Sequence, residues 1–378
     1  MRLILAPLAL SLPLVLAACN SETSDPQPAA SRVAEAAPSD PFAARDPAPG
    51  AAVPAEQADD QPRPVMQAQV VLDRLGFTPG VIDGQAGLST RNALSGFQEA
   101  NRLDQTGKLD QATRAALGRW SNIPATRVVT IPANYGAGSF VAIPENAADQ
   151  ARLPAMGYQT LDEKLAERFH TTVETLWALN RLSSPAKPAD KDASPVPVAL
   201  IQAGQQIRVP NVGNDVVDPQ ARNNRGWRDT LVALGVASTQ PKASRIVVSK
   251  SKETLKVFDD ADKLVAVFTA TMGSSRDPLP LGKWQIKGVA YNPPFHYNPK
   301  LFWDVSDSEA KQILPPGPNG PVGVAWIDLN KEHYGIHGTP EPQTIGRAES
   351  HGCVRLTNWD VARLAQMVSP GTRVLFEA

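Results

Sequence analysis

The chain has 378 residues, with 37 Lys and Arg against 38 Asp and Glu, and a formal net charge of −1 at pH 7. This length suffices for two or three domains. Because the charge is balanced and no basic run alternates with aromatic residues, the composition gives no support to nucleic-acid binding.

Residues 1–19 have the features of a secretory signal. An apolar run from Leu3 to Ala18 is shorter than the roughly 20 apolar residues that a membrane span needs. The run ends in Leu-Ala-Ala followed by Cys19, which resembles a bacterial lipobox. This resemblance implies lipidation of the Cys19 thiol and a periplasmic protein anchored to the outer or the cytoplasmic membrane. A plain signal peptide, cleaved after Ala18 or further on, is the alternative.

Residues 20–62 are dominated by Ala, Pro, Asp, Glu and Ser, without a sustained apolar period. Such a composition cannot bury a core, so we expect a disordered tether. About 40 residues of flexible chain would span roughly 35 Å. A tether of this reach would let a membrane-anchored protein contact a polymer at some distance.

Residues 63–119 carry apolar residues at helical spacing in three segments. The first runs from Val65 to Leu75, and Asp110 is placed to cap the third. The following pieces occur in this order: Leu75-Gly-Phe, Asp83-Gly, Gly87, Thr90, Phe97-Gln, Gly107-Lys-Leu and Thr113. The ordered set resembles the three-helix peptidoglycan-binding domain.

Residues 128–211 contain two helical stripes, Leu161 to Phe169 and Val173 to Leu179, and then an alternating segment at residues 203–210. Two helices followed by Gly-Gln-x-Ile-x-Val-Pro resemble a LysM domain, a βααβ fold that binds N-acetylglucosamine glycans. Residues 182–198 are an insertion relative to that pattern, and the entry strand is not defined by the sequence.

A linker is expected at residues 212–243, with a short helix near Trp227. From residue 244 to residue 378 the pattern becomes one of short β-branched or alternating runs, such as Arg245 to Val248 and Thr254 to Phe258. These runs predict a mainly β, sandwich-like domain, and the whole chain is predicted to be a multidomain α+β protein.

Two motifs near the C-terminus combine a cysteine with histidines. Tyr-Gly-Ile-His337-Gly-Thr is followed about a dozen residues later by Ser-His351-Gly-Cys353-Val-Arg-Leu. A cysteine attacks as thiolate and needs a neighbouring base, for which a histidine is suited near neutral pH. Gly338 and Gly352 suit a backbone that turns sharply and leaves N–H groups free to face an oxyanion.

The chain has two cysteines, Cys19 and Cys353. If Cys19 carries lipid, Cys353 cannot form a disulfide within the chain. A lone thiol is unusual in an exported protein, because that compartment favours oxidation. A buried core cysteine is the plain alternative, but the flanking His351 and Gly352 favour a reactive thiol.

Together the motifs resemble the catalytic domain of L,D-transpeptidases of the YkuD type, which remodel bacterial peptidoglycan. The resemblance implies that Cys353 is the nucleophile and His337 its base, with the imidazole held by the carbonyl of Gly338. It further implies the following supporting residues: His351 in the pocket, Gly352 in the oxyanion hole, Arg355 on a substrate carboxylate, and Ser350 and Thr339 as weaker substrate contacts.

The resemblance also implies the reaction. Cys353 would attack the carbonyl of the third residue of a stem peptide, release the terminal D-alanine, and pass the acyl group to an amine of a neighbouring stem as a 3-3 cross-link. Transfer to water, as in an L,D-carboxypeptidase, and attachment of a lipoprotein to peptidoglycan are alternatives. We expect no metal or cofactor, peptidoglycan and a membrane as partners, and a monomer.

Two rival hypotheses belong to other classes. His337, His351 and Cys353 could ligate zinc in a hydrolase, since three protein ligands and a water suffice; the sequence contains no His-Glu-x-x-His motif. The chain could also be a structural lipoprotein that binds the cell wall without catalysis, which a complete Cys-His motif argues against.

Overall fold

The computed structural model describes residues 42, 59, 61–183, 198–213, 217–218, 225–302, 305–306, 308–348 and 352–378. Every described residue belongs to one compact unit. Cys19, Ser350, His351 and most of residues 20–62 lie outside the described residues. Among the helices that are described, none is long and apolar enough to cross a membrane.

Helices α1 (Pro64–Arg74), α2 (Leu88–Ala100) and α3 (Gln111–Leu117) form the first module. Pro64 lies in the first turn of α1, where its missing N–H is not needed. Asp110 caps α3, because its carboxylate accepts a hydrogen bond of 2.9 Å from the N–H of Thr113. Phe97 of α2 is buried among the helices. The module is therefore the three-helix fold that the sequence predicts.

The second module consists of β1 (Thr126–Thr130), α4 (Ala147–Gln150), α5 (Leu161–Arg168), α6 (Val173–Leu179) and β2 (Gln206–Pro210). Strands β1 and β2 pair antiparallel over their whole lengths. Thr160 and Thr172 cap α5 and α6 through their hydroxyl oxygens. Strand β1 is the entry strand that the sequence left undefined. Residues 131–160, which include α4, separate it from α5.

Phe42 belongs to the folded unit, although it lies in the segment expected to be a disordered tether. Its side chain is 4% exposed. The ring makes edge contacts with Tyr135 and Phe169 of the LysM-like module, with centroids 4.6 and 5.2 Å apart. The expectation of disorder is therefore wrong at this residue, because a single aromatic side chain finds an apolar site that the composition of the segment does not reveal.

Helix α7 (Arg225–Leu234) confirms the short helix expected near Trp227. Trp227, Leu231 and Leu234 are fully buried and join the core of the C-terminal module. The Trp227 ring packs against that of Tyr291, with centroids 4.5 Å apart. Much of the expected linker is thus part of this core, which begins before residue 244.

The C-terminal module contains the following strands and helix: β3 (Arg245–Ser249), β4 (Thr254–Phe258), β5 (Leu264–Thr269), β6 (Thr271–Met272), β7 (Gly282–Tyr291), β8 (Phe295–Tyr297), β9 (Gln312–Leu314), β10 (Ala325–Leu329), β11 (Gly335–His337), β12 (Val354–Arg355), α8 (Asn358–Met367) and β13 (Arg373–Glu377). Among the described residues, the strands of the main sheet follow the order β5-β4-β3-β13-β7-β10-β11-β12-β6. Strand β7 pairs with β13 in its first part and with β10 in its second, and so joins two halves of the sheet. Helix α8 is buried along its whole length. The mainly β fold class is confirmed.

A buried cluster of charged side chains joins the three modules. Arg363 of α8 donates two hydrogen bonds, of 2.8 and 2.9 Å, to the carboxylate of Asp73 in α1. The Nδ1 atom of His170, in the turn after α5, lies 3.1 Å from the same carboxylate, and its Nε2 lies 2.9 Å from the carbonyl oxygen of Leu234. The His170 ring stacks on Trp359 at 5.1 Å. His170 lies in a turn, yet it is fully buried because the modules meet there.

We expect Asp73→Asn to lower the free energy of unfolding by about 3–5 kcal/mol, because the buried guanidinium of Arg363 loses the carboxylate that accepts both of its hydrogen bonds. Burial raises the pKa of Asp73, but the interactions with Arg363 and His170 prevail and hold that pKa well below its usual value of 3.8. The stabilisation is therefore present at neutral pH and is lost as the pH falls below 3.8. Denaturant unfolding at pH 7 and at pH 3 measures both effects.

Asp262→Asn is the matched control, since Asp262 is 73% exposed and forms a surface ion pair with Arg245. Its loss should cost less than about 1 kcal/mol. Equal losses of stability in the two variants would contradict the role of the buried cluster.

Candidate active site

Two short parallel strands bring the predicted nucleophile and the predicted base to one place. Ile336 of β11 pairs with Val354 of β12, and His337 pairs with Arg355. Ile336 and Val354 are fully buried in the core. Because side chains alternate along a strand, His337 and Arg355 point to the opposite face of the sheet, as does Cys353, which directly precedes β12.

The imidazole of His337 is held by its own neighbour in the chain. The side chain is 5% exposed, and its Nδ1 lies 2.8 Å from the carbonyl oxygen of Gly338. A carbonyl oxygen only accepts hydrogen bonds, so Nδ1 carries the ring proton and Nε2 keeps its lone pair. The Trp326 ring stacks on the imidazole with centroids 5.4 Å apart and an interplanar angle of 17°. The ring is thus fixed in the tautomer that a base requires.

Burial and the positive charge of Arg355 together lower the pKa of His337 to about 4, although the hydrogen bond to Gly338 opposes the change. At neutral pH the imidazole is therefore uncharged. A neutral ring can accept a proton at once, whereas an imidazolium would first have to lose one.

The thiol of Cys353 is partly exposed, and burial raises its pKa above the usual 9.0. A hydrogen bond with the backbone of Gly335 and the charge of Arg355 lower the pKa, but they do not overcome the burial. In keeping with a protonated thiol, Sγ lies 3.8 Å from the carbonyl oxygen of His333 in donor geometry. The resting pair is thus a neutral thiol and a neutral imidazole.

Close packing explains why both motif glycines are needed. Gly352 has a φ of 91°, and a Cβ placed there would lie 2.8 Å from Cε1 of Tyr334. A Cβ on Gly338 would overlap with Oδ1 of Asn358. The two glycines therefore let the backbone approach neighbouring side chains at the points where the predicted nucleophile and base are held.

Of the residues predicted to contact substrate, Arg355 and Thr339 are described by the structure and Ser350 is not. Arg355 lies beside His337 in the paired strands, close enough to influence both titrating groups. Thr339 is 5% exposed, and its Oγ1 accepts a hydrogen bond of 3.2 Å from the N–H of Glu341. Ser350 and His351 lie outside the described residues. The catalytic and binding roles of all these residues stay predictions.

Sequence reasoning missed several neighbours of the site. Trp326 stacks on His337, Tyr334 packs against Gly352, and Asn358 touches Gly338. The alternation of Trp326 and Asp328 in β10 could have placed this tryptophan on the same face as the predicted base. No sequence signal marks Asn358, although it lies only two residues after the second motif, at the start of α8.

The segment of residues 291–318 carries the pair of strands β8 and β9. Its last part is attached to the LysM-like module. The N–H of Met156 donates a hydrogen bond of 2.9 Å to the carbonyl oxygen of Pro316, and the N–H of Asn319 donates one of 2.9 Å to that of Met156. This contact fixes the end of the segment that leads into β10.

The sequence matches families of known proteins in three regions. The L,D-transpeptidase catalytic domain of the YkuD family matches residues 243–375, a putative peptidoglycan binding domain matches residues 61–117, and a LysM domain matches residues 163–188. A putative L,D-transpeptidase YkuD of Bacillus licheniformis is 32% identical over 145 residues, which are 38% of this chain and 72% of that protein. The chain belongs to the L,D-transpeptidase family. The resemblance of all three regions is confirmed.

Other L,D-transpeptidases match as well. The putative L,D-transpeptidase YqjB of Bacillus subtilis is 30% identical over 135 residues, or 34% of this chain and 69% of that protein. L,D-transpeptidase 3 from Mycobacterium tuberculosis, solved with a faropenem-derived adduct, is 19% identical with a TM-score of 0.30 over 36% of this chain. The chain spans 60% of the length of that solved structure.

Within the described residues of this family member, no group of three or more His, Cys, Asp and Glu side chains is arranged to hold a metal ion. His351, which the zinc hypothesis requires, lies outside them.

We expect NMR to detect the neutral imidazole directly. The ring of His337 should titrate at about pH 4, against about 6.5 for a histidine in a short peptide. Nitrogen-15 shifts of the histidine rings measure the titration, and His337→Gln assigns the signal. Arg355→Gln should raise the midpoint, because the guanidinium charge disfavours the imidazolium. A midpoint of about 6.5 in the unaltered protein would contradict the burial of this ring as the cause of its neutrality.

Proposed function

We propose that this protein is a peptidoglycan L,D-transpeptidase in which Cys353 is the nucleophile and His337 its base. The observation that carries the proposal is the buried imidazole, whose Nδ1–H is engaged by Gly338 so that Nε2 keeps its lone pair on the sheet face shared with Cys353. Membership of the L,D-transpeptidase family supports it.

In the first half-reaction, Sγ of Cys353 attacks the carbonyl carbon of the third stem residue while its proton passes to Nε2 of His337. The carbonyl of Gly338 accepts the Nδ1–H of the imidazolium that forms. The C–N bond to the terminal D-alanine then breaks, and the proton on Nε2 moves to the leaving amine. The thioester retains the energy of the broken amide, so no ATP is needed.

In the second half-reaction, an amine of a neighbouring stem attacks the thioester. The amine loses a proton to Nε2 of His337, the C–S bond breaks, and the thiolate of Cys353 takes the proton back. The product is a 3-3 cross-link. If water attacks in place of the amine, the same steps give a trimmed stem with a free carboxylate, which is the carboxypeptidase alternative. If an amine of a lipoprotein attacks, the lipoprotein becomes attached to peptidoglycan.

Arg355 has a defined electrostatic part in this proposal. Its charge disfavours the imidazolium of His337 and favours the thiolate of Cys353. The imidazolium is thus a stronger acid towards the leaving amine, and the thiolate is a better leaving group when the acceptor attacks.

The two N-terminal modules indicate what the protein binds. Both match families whose ligand is the cell wall, so peptidoglycan is the proposed binding partner. Holding the enzyme on an insoluble polymer raises the effective concentration of stem peptides at the site.

Cys353→Ala should abolish turnover, because the variant lacks the thiol that forms the thioester. The measurement is mass spectrometry of muropeptides after incubation of disaccharide tetrapeptides with the purified protein. The unaltered protein should release D-alanine and form dimers joined by 3-3 links, and trimmed tripeptides alone would favour the carboxypeptidase. Binding of the Cys353→Ala variant to sedimented peptidoglycan is the control for folding. Normal turnover in this variant would refute the proposal.

We also expect lipidation of Cys19 to anchor the protein to a membrane in the periplasm, as the lipobox implies. Cys19→Ser cannot form the thioether to lipid, so the variant should move from the membrane fraction to the soluble fraction on cell fractionation. The Cys353→Ser variant, which alters the other cysteine, is the matched control and should stay with the membranes. Unchanged membrane association of Cys19→Ser would show that the lipobox interpretation is wrong.

A further inference from the structure

Asn358 packs against Gly338, whose carbonyl oxygen accepts the hydrogen bond from the ring of His337. It is fully buried at the first turn of α8, and its Oδ1 accepts a hydrogen bond of 3.3 Å from the N–H of Val324. The same oxygen lies against Gly338 and Gly323, since a Cβ on either glycine would overlap with it. The backbone that carries the Gly338 carbonyl is thus confined by the Asn358 side chain on one side.

The other end of the Asn358 amide reaches into the LysM-like module. Its Nδ2 donates a hydrogen bond of 2.8 Å to Oε1 of Glu167 in α5, and one of 3.0 Å to the carbonyl oxygen of Pro318. Glu167 is 5% exposed, and its Oε2 accepts a hydrogen bond of 2.9 Å from the hydroxyl of Tyr158. A continuous series of contacts therefore runs from Tyr158 and Glu167 through Asn358 to Gly338.

A second carboxylate on the same helix makes it possible to separate two effects of a mutation: loss of contact between the modules and displacement of Gly338. Glu163 lies one turn before Glu167 and accepts a hydrogen bond of 2.7 Å from Asn319 Nδ2 of the C-terminal module. Like Glu167, it therefore joins the two modules. The difference is that Asn319 has no contact with Gly338 among those described, whereas Asn358 lies directly against it.

We infer that Glu167 of the LysM-like module is a positioning residue for His337, which it reaches through Asn358 and Gly338. The inference rests on the proposed function of His337 as the base. It means that the LysM-like module is a structural part of the active site as well as a candidate wall-binding module. A displacement of the Gly338 carbonyl would release the Nδ1–H, and the ring could then turn or change tautomer.

The length of the Glu167 side chain should matter more than its charge. Burial raises the pKa of Glu167 to about 8, so the carboxyl group is mostly uncharged at pH 7. Glu167→Gln keeps an oxygen at the position that accepts from Asn358 and reproduces the uncharged form. Glu167→Asp keeps the acid but is shorter by one methylene, so its oxygen can no longer reach the amide.

The kinetic test compares these variants with Glu163→Asp, which shortens the neighbouring carboxylate by the same amount. With a soluble disaccharide tetrapeptide as substrate, Glu167→Asp should lower kcat by about 10- to 100-fold, because small displacements of a catalytic group have effects of this size. The same variant should leave KM within about twofold of the unaltered protein. Glu167→Gln and Glu163→Asp should retain kcat within about threefold. A fall in kcat for Glu163→Asp as large as that for Glu167→Asp, or equal losses in Glu167→Gln and Glu167→Asp, would overturn the inference.

The tautomer of His337 gives a readout that does not depend on activity. Nitrogen-15 shifts of the full chain should report a single Nδ1–H form in the unaltered protein and in Glu167→Gln, and a mixture with the Nε2–H form in Glu167→Asp. An unchanged single tautomer in Glu167→Asp would refute the positioning role, even if kcat fell. If the unaltered protein processed no stem peptide, the proposed function would fail, but the tautomer measurement would still decide this inference.

Discussion

The hydrogen bond from Nδ1 of His337 to the carbonyl oxygen of Gly338 is the constraint on which the site depends. A backbone carbonyl can hold an imidazole in one tautomer only if that backbone cannot move. The glycine is confined by Asn358 and by Gly323, whose Cβ, if present, would lie 2.9 Å from the Gly338 Cα. The N–H of Gly338 donates a hydrogen bond of 3.1 Å to the carbonyl oxygen of Val322. The orientation of one ring is thus set by residues from several elements.

The same burial that fixes the ring determines the charge state of the pair. Removing water disfavours both the imidazolium and the thiolate, which lowers the pKa of His337 and raises that of Cys353. The charges then appear only as the reaction proceeds, in a site whose hydrogen-bonding groups are already in place. Groups arranged in advance stabilise developing charge without the cost of reorganisation. A neutral resting pair is therefore compatible with an active nucleophile.

Much of this organisation could be predicted from the sequence, and the exceptions share a cause. The helices of the first module follow from apolar spacing, and the positions of Cys353 and His337 follow from two motifs. His170, Glu167 and Asn358 could not be found in this way, because each is a polar residue buried at a boundary between modules. Periodicity identifies which side of an element is apolar, but it does not identify which polar side chain will meet a partner from a distant part of the chain.

The modules consequently differ from the picture of independent domains on flexible linkers that composition suggests. The three modules are joined by buried contacts. These contacts are the ion pair of Asp73, the hydrogen bond between Glu167 and Asn358, and the burial of α7. Residues far from the thiol can therefore influence the chemistry. In a chain of this kind, loss of a module by truncation would alter the active site as well as binding.

The most direct test of the central claim is the mass of the acyl-enzyme. After brief incubation with a disaccharide tetrapeptide, the intact protein should gain the mass of the donor minus that of D-alanine, and peptide mapping should place the adduct on Cys353. His337→Ala should acylate far more slowly, although its thiol still reacts with iodoacetamide. An adduct on another residue, or acylation of His337→Ala at the rate of the unaltered protein, would contradict the account.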